Sequence, residues 1–562
     1  MRSLIPTLLL LALTLAPNAA CPAGEGLAEK LKAAGANTWV PLAKAEGAGR
    51  RWPIFVYHPG LGKYLLSAGG GGGGYDQQLF DPKTCAWSDF FPKGKSGLPA
   101  KVKMGVLGPG QAVDGVFRIR RVGNAFRPTD ENTYYQWALS PHDGCIHAYY
   151  QNTTLRFDAE TGLWEVLDAP AFSGVFKAKV SNSNLTMGAL AWDPVNGEVV
   201  SCGGNSDDDG AAPGTWTFKP GTARWTRVAA GSEELKALRA RARGLERRTG
   251  ALVNAWRNRF YLTETGEEAQ ADIGRQAAAL VKDFEAVVAE VGKARLTGFE
   301  KAVPEHAAAF LAKVLAELKA AAANSDARAR LLALQQARDR LEAAARSLDA
   351  EPCGRGLSQM ATDPKRGKIV LFGGCRLDSY LADTWVYHCK ERRWEQRWPK
   401  LSPAPRAGHL LGWLPGSGKI VLFGSTNYDT HATPPYQTKS VPRDLWVYDV
   451  DGNRWKMLPQ SGEPPVNGTG AVGPGDVLVF LPRPKKQFGA GSRQTWGLQI
   501  DAGAPDPGSA KAGVAPGAVT HTFHGPDRFD REAKVEPQKV DAFLKNLPPN
   551  SWTPMPEHSP DC

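Results

Sequence analysis

The 562-residue chain has no Cys-x-x-Cys pair, no run of like charge and, after its first twenty residues, no apolar stretch that reads as membrane-spanning. The missing thiol pairs argue against a structural zinc site. No nucleic-acid-binding module is legible, and no Ser/His/Asp order or nucleophile elbow can be read among its ten scattered histidines. The net charge of +11, from 68 basic and 57 acidic residues, is thin for a chain of this length. It serves solubility and is compatible with acidic polysaccharide or an anionic envelope.

What the chain has in abundance is repetition. Five times an aromatic residue is followed seven positions later by tryptophan: Phe80/Trp87, Phe157/Trp164, Phe218/Trp225, Tyr387/Trp394 and Tyr448/Trp455. Ahead of each pair runs a second signal: Pro59-Gly-Leu-Gly62, Pro141-His-Asp-Gly144, Pro194-Val-Asn-Gly197, Pro364-Lys-Arg-Gly367 and Pro415-Gly-Ser-Gly418. Proline presets φ for a tight turn and glycine accepts a positive φ. The pitch is 53 residues from Pro141 to Pro194 and 51 from Pro364 to Pro415. Between Pro194 and Pro364 about 118 residues are inserted beyond one pitch, and between Pro59 and Pro141 about 30. Within a copy, short β-branched and aromatic runs are bounded by Gly, Pro or Asp, which predicts four short antiparallel strands.

Two copies carry the fullest pattern: Phe372-Gly-Gly374 with Asp383-Thr-Trp-Val-Tyr387 and Trp394, and Val421-Leu-Phe-Gly424 with Asp444-Leu-Trp-Val-Tyr-Asp449 and Trp455. These resemble the kelch repeat. Val200-Ser-Cys-Gly-Gly204 keeps the glycine pair, with Cys202 in the place of Phe372, a packing position. Residues 145–150 lose the glycine pair, and residues 473–500 form a faint sixth copy without its tryptophan. Asn37-Thr-Trp39-Val-Pro-Leu42 reads as a fourth strand with nothing before it, suited to complete that last unit. The resemblance implies an all-β propeller of six kelch-type blades, with seven as the alternative. Closing a ring removes free sheet edges.

Residues 1–20 read as a signal peptide, with Arg2, an apolar core from Leu8 to Leu15 and a small-residue exit. The chain is therefore expected to be exported: periplasmic, at the cell surface or secreted. Cys21 after Ala19-Ala20 is a candidate lipidation site and the one expected membrane anchor, although Asn18 departs from the usual aliphatic residue. The pairing of the eight cysteines stays open. Residues 37–230 and 352–502 are the two propeller segments, three blades in each. Residues 231–351 switch to helical spacing, with Leu235, Leu238, Ala242, Leu245, Thr249 and Leu252 in one stripe and Leu334, Leu341 and Leu348 seven apart. A helical hairpin or bundle is expected, starting near Ser232, and serving as an appendage or as an arm for a partner or self-association. Residues 503–562 form a Pro/Gly/Ala-rich tail.

Candidate binding residues are those expected in loops between second and third strands: Tyr75, Asp207, Asp208, Arg376, Asp378, Tyr380, Asn427, Tyr428, His431 and Arg493. Their aromatic, amide and charged side chains suit a protein or glycan ligand. The glycine run from Gly69 to Gly74 is followed by a strand, so it lacks the helix N-terminus of a phosphate cradle. Asp207-Asp208-Asp209-Gly210 is spaced too tightly to supply calcium's six to eight oxygens and reads as a solvated loop. His409 reads as a structural residue. No cofactor and no metal is expected. Kelch propellers also include enzymes. A copper-radical, galactose oxidase-like site would draw on Cys85, Cys145 or Cys375 with Tyr75, Tyr380 or Tyr428. A sialic-acid mutarotase-like epimerase would draw on Arg376, Asp378 and His431. The principal expectation is a non-catalytic, exported binding or scaffold protein.

Overall fold

A computed structural model describes residues 26–45, 53–67, 77–90, 137–150, 153–159, 163–167, 188–203, 214–222, 224–262, 267–376, 379–424, 443–466, 468–482, 493–514 and 519–521. Most of it is β-structure in six antiparallel sheets, each built on four strands, with a helical segment between the third and fourth. The first sheet holds β2 (Ile54–His58), β3 (Lys63–Ser67), β4 (Gln78–Asp81) and β5 (Ala86–Asp89). The second holds β6 (Trp137–Leu139), β7 (Cys145–Tyr150), β8 (Thr153–Asp158) and β9 (Leu163–Leu167). The third holds β10 (Ala189–Asp193), β11 (Glu198–Cys202), β12 (Trp216–Lys219) and β13 (Arg224–Arg227). The fourth holds β14 (Gln359–Asp363), β15 (Lys368–Arg376), β16 (Ser379–His388) and β17 (Arg393–Arg397). The fifth holds β18 (Leu410–Leu414), β19 (Lys419–Phe423), β20 (Leu445–Asp449) and β21 (Arg454–Leu458).

The sixth sheet is assembled from both ends of the chain. Its strands β22 (Gly468–Gly473), β23 (Val477–Pro482) and β24 (Arg493–Gln499) are followed in space by β1 (Val40–Ala45). Val40 lies opposite Gly497. One step further along that register sets Trp39 against Leu498, and both lie in one buried cluster. Trp39 therefore stands where the sixth copy has no tryptophan of its own. Its ring packs 4.6 Å from Phe423 and 6.1 Å from Phe480. The first strands of successive sheets also touch one another: β2 with β6, β6 with β10, β10 with β14, β14 with β18, β18 with β22, and β22 with β2.

The seven-residue spacing is a cross-strand register. Phe80/Trp87, Phe157/Trp164, Phe218/Trp225, Tyr387/Trp394 and Tyr448/Trp455 are each direct partners between third and fourth strands. Such facing aromatic pairs stabilise a sheet by about 0.2–1 kcal/mol each. Four of these tryptophans then reach across to the neighbouring sheet. The indole N–H of Trp225 donates to Thr154 at 2.8 Å, that of Trp394 to Thr215 at 2.7 Å and that of Trp455 to Thr384 at 3.0 Å. Trp87 makes the same bond from the first sheet to Thr495 of the sixth, at 2.9 Å. In the fifth sheet the threonine position is Leu445, and the indole of Trp39 donates to Gln460 instead, at 2.8 Å.

The Pro-x-x-Gly segments are turns between first and second strands, with φ of +59° to +67° at Gly62, Gly144, Gly197, Gly367 and Gly418. In four of the five the residue before the proline closes the turn. Asp193 accepts from the amides of Val195 and Asn196, and Asp363 from those of Lys365 and Arg366. His58 does the same through Nδ1 to Leu61, which leaves its Nε2–H to donate to Gly144 in the next sheet at 2.7 Å. Leu414 has no side-chain acceptor. Asp476, held at φ +60° in the sixth sheet, takes over and receives the amides of Gly416 and Ser417 at 2.6 and 2.8 Å.

The helical segment comprises α2 (Glu233–Leu262), α3 (Glu267–Lys293), α4 (Val303–Ala323) and α5 (Ala327–Arg346), after the short α1 (Leu27–Ala34). Each of the four packs on its neighbours, and α2 also meets α5, around a core that includes Leu235, Leu245, Leu311, Leu334 and Leu348. Ser232 caps α2 by accepting the Leu235 amide, and Glu300 receives both the amide and the hydroxyl of Ser232. The bundle rests on the outer strand of the fourth sheet. Phe299 stacks on His388 at 4.2 Å and His306 on Trp398 at 4.7 Å. Covering β17 shields an edge that would otherwise be open to pairing. No helix among the described residues is long and apolar enough to cross a membrane.

The indole–threonine bonds are testable. Trp455→Phe keeps the ring and strands the buried Thr384 hydroxyl, so urea unfolding should show a loss of about 1–3 kcal/mol. Adding Thr384→Val should recover part of it; fully additive losses in the double variant would remove the bond from the account.

Candidate functional site

The ends of the second strands define where the loops toward the third strands leave the sheets, and two of these mouths are built alike. Arg355, fully buried, donates from Nε to the Cys353 carbonyl at 3.1 Å and from Nη1 to that of Gly373 at 3.0 Å. It also grips Asp383 with two bonds of 2.6 and 2.7 Å. In the next sheet Arg406 repeats these backbone and carboxylate contacts, with the carbonyls of Ala404 and Gly424 and a bidentate pair to Asp444 at 2.6 and 2.8 Å. The second oxygen of each carboxylate also receives an indole N–H, from Trp385 and Trp446. Burial works against the charge on Asp383 and Asp444, but the facing guanidinium outweighs it and holds both carboxyls below their ordinary range. Burial likewise opposes the charge on Arg355, yet Asp383 raises its pKa further. The pairs are anchors: they tie the mouths at Gly373 and Gly424 to the strands that follow.

Of the residues expected in these loops, Arg376 and Tyr380 belong to the extended hairpin of β15 and β16, where Arg376 lies opposite Ser379 and Tyr380 opposite Cys375. They are strand residues, because the pairing of β15 with β16 runs out to Arg376 and Ser379. The hairpin gains a further strand from the tail, β25 (Val519–His521), with Tyr380 opposite Thr520. Arg493 is also no loop residue. It begins β24, opposite Ala45 of β1, and is only 6% exposed. The structure therefore does not bring Arg493 to a surface with the others. Tyr75, Asp207, Asp208, Asp378, Asn427, Tyr428 and His431 lie outside the described residues, as do Cys21 and residues 1–20.

His409 is buried and set edge-to-face on Phe372, and burial together with Arg406 pushes its pKa down to about 3, so its ring is neutral. Cys202 is buried opposite Ala189, as Phe372 is opposite Gln359. The described cysteines Cys85, Cys145, Cys202, Cys353, Cys375 and Cys389 are all buried free thiols. Burial pushes Cys375 up to about 12, which keeps it protonated beside the Tyr380 strand. Among the described residues no group of three or more His, Cys, Asp or Glu is placed to hold a metal ion. The anchors Arg355 and Arg406 escaped the sequence reading, although both are followed by the first strand of a copy and answered by Asp383 and Asp444.

No family model matches the chain. A stretch of 182 residues is 29% identical to Multiple epidermal growth factor-like domains protein 8 of Homo sapiens, and 28% identical to the proteins of the same name from Mus musculus and Rattus norvegicus. The match covers 29% of this chain and spans only 6% of the length of each relative.

Replacing Arg406 by leucine strands Asp444 and should cost about 3–5 kcal/mol at pH 7. Both anchor carboxyls titrate lower in the folded state than when unfolded. Their stabilisation is thus complete above the ordinary carboxylate pKa of about 4 and fades as pH falls through the lowered folded values. Without the guanidinium, burial favours a protonated Asp444, so the gap between wild type and Arg406→Leu should narrow below about pH 4. Urea unfolding at both pH values measures it, and a gap that widens in acid contradicts the assignment.

Proposed function

We propose that the six sheets are blades of one closed kelch-type propeller, and that the protein is an exported binding or scaffold protein that presents one propeller face to a protein or glycan ligand. The observation that carries this reading is the sixth sheet, whose outer strand comes from residues 40–45. The circular sequence of first-strand contacts and the Trp87–Thr495 bond support it as well. In such a ring the loops between second and third strands share a face, which is the reason to group Tyr75, Asp207, Asp208, Asp378, Asn427, Tyr428 and His431 as ligand contacts. The family resemblance supplies the binding role by analogy, since a fold by itself does not fix function. Export rests on residues 1–20, and the lipid anchor on Cys21.

A second reading keeps an enzyme on the same scaffold, and the facing of Cys375 and Tyr380 on adjacent strands is the observation that favours an oxidase over an epimerase. Metal analysis and visible absorption of the purified protein separate the oxidase from a binder. Proton NMR of sialic acid anomers separates the mutarotase-like epimerase.

Deletion of residues 26–45 should leave the edge of β24 unpaired, lower the melting temperature and convert a soluble chain to aggregates or dimers in sedimentation experiments. A truncated chain as stable and monodisperse as the full one would refute closure. For the face, the double variant Tyr428→Ala/His431→Ala should weaken capture on a glycan array or on isolated envelope about tenfold, the effect of 1.4 kcal/mol. Unchanged capture would place the ligand elsewhere.

A further inference from the structure

A cavity of about 390 Å³ lies at the seam of the third and fourth sheets, under the root of the helical bundle. Its walls are the chain leaving β13 (residues 228–232), the bundle turn at 297–300, the returning residues Ala350 and Glu351, and the turn from Glu391 to Trp394. The volume falls in the small-ligand range of about 300–1,000 Å³. None of these residues belongs to the loop face discussed above.

The polar groups in the wall are fixed in advance. Glu300 is held by the amide and hydroxyl of Ser232 at 2.8 and 2.6 Å. Glu351 receives the Thr215 amide at 2.8 Å and is paired with Arg227. Arg392 is paired with the buried Glu198 at 3.0 Å. A carboxylate accepts about four hydrogen bonds and a guanidinium donates five, so each of these lining groups retains spare capacity. Arg393 and Glu391 stand exposed at the rim. Phe299, backed by its stack on His388, and Trp394 supply flat apolar surface. Of the charges in the wall, Glu351 is met by Arg227 and Arg392 by Glu198 from behind, which leaves Glu300 and Glu391 against Arg393.

We propose that this cavity binds a neutral, hydroxyl-rich ligand of the monosaccharide class, with the fixed carboxylates accepting from hydroxyls, the guanidiniums donating to them and the aromatic rings taking the apolar face. A wall that carries both signs and a single surplus carboxylate disfavours an anion and offers a cation little, whereas paired planar acceptors and donors match adjacent hydroxyls. The proposal is independent of the loop face and of ring closure.

The test uses the full chain with glucose, galactose and mannose as probes, read by saturation-transfer NMR and titration. At least one hexose should bind. Arg393→Ala, at an exposed position, should weaken it about fivefold. Ala230→Trp, which fills the cavity, should abolish it, with circular dichroism checking that the variant folds; if it does not, Arg393→Ala decides. Lys313→Ala, on the bundle surface, should leave binding unchanged. Failure of all three hexoses to bind, loss confined to Tyr428→Ala/His431→Ala, wild-type affinity in Arg393→Ala, or tighter binding of glucuronate than of glucose would each overturn the proposal.

Discussion

One contact recurs at seam after seam: an indole N–H on the fourth strand of a sheet, donated to a threonine hydroxyl at the third strand of the sheet before it. A buried Nε1–H needs an acceptor, and the neighbouring sheet is its nearest source. The bond fixes how far one sheet turns relative to the next, while the ring fills the seam against its cross-strand aromatic partner. The same residue thus serves packing within a sheet and alignment between sheets. Where the fifth sheet offers Leu445 in place of threonine, the donor is redirected to Gln460 and is not left bare. At the seams of Trp39, Trp87, Trp225, Trp394 and Trp455 the donor is satisfied in each case, while the acceptor changes from threonine to glutamine.

This explains which parts of the structure were legible in the sequence. Phe80/Trp87 and its sisters are visible because third and fourth strands are joined by short turns of constant length, so register becomes a fixed spacing. The Pro-x-x-Gly turns are visible because backbone geometry there demands particular residues. A mostly β chain of four-stranded antiparallel sheets follows from those two signals. The helical stripe from Leu235 to Leu252 is visible because a helix advertises its buried face by period. Arg355 and Arg406 were not legible as anchors, because their partners Asp383 and Asp444 are 28 and 38 residues away and nothing local marks the pairing. Arg493 was misplaced because a strand that begins with a charge looks like the end of a loop. Arg376 and Tyr380 were misplaced because a hairpin that overshoots its sheet has no signature of its own.

The helical bundle shows a different economy. Its core is made from its own four helices, so its attachment to the sheets can rest on a few contacts: two ring stacks on the fourth sheet, and the tie of Glu351 to Thr215 and Arg227 of the third. An insertion of that kind is tolerated when the host backbone at the crossing points already leaves the sheet. Here the crossing falls between β13 and β14, which are successive outer and inner strands of different sheets. At the root of the insertion the two sheets leave a cavity between Gly231 and Arg393.

The substitution at Leu414 bears on how such a repeat diverges. Four of the five Pro-x-x-Gly turns are closed from within, by His58, Ser140, Asp193 or Asp363. The fifth is closed by Asp476 from the adjoining sheet, at the cost of a left-handed backbone at a non-glycine residue. The amides of Gly416 and Ser417 need acceptors whichever residue precedes the proline. A local bond has thus been exchanged for one between sheets. That exchange converts a turn that could form alone into one that requires its neighbour, and it welds the fifth and sixth sheets at the end of the structure opposite the loop mouths. Divergence of a copied unit has here increased the dependence of one copy on the next.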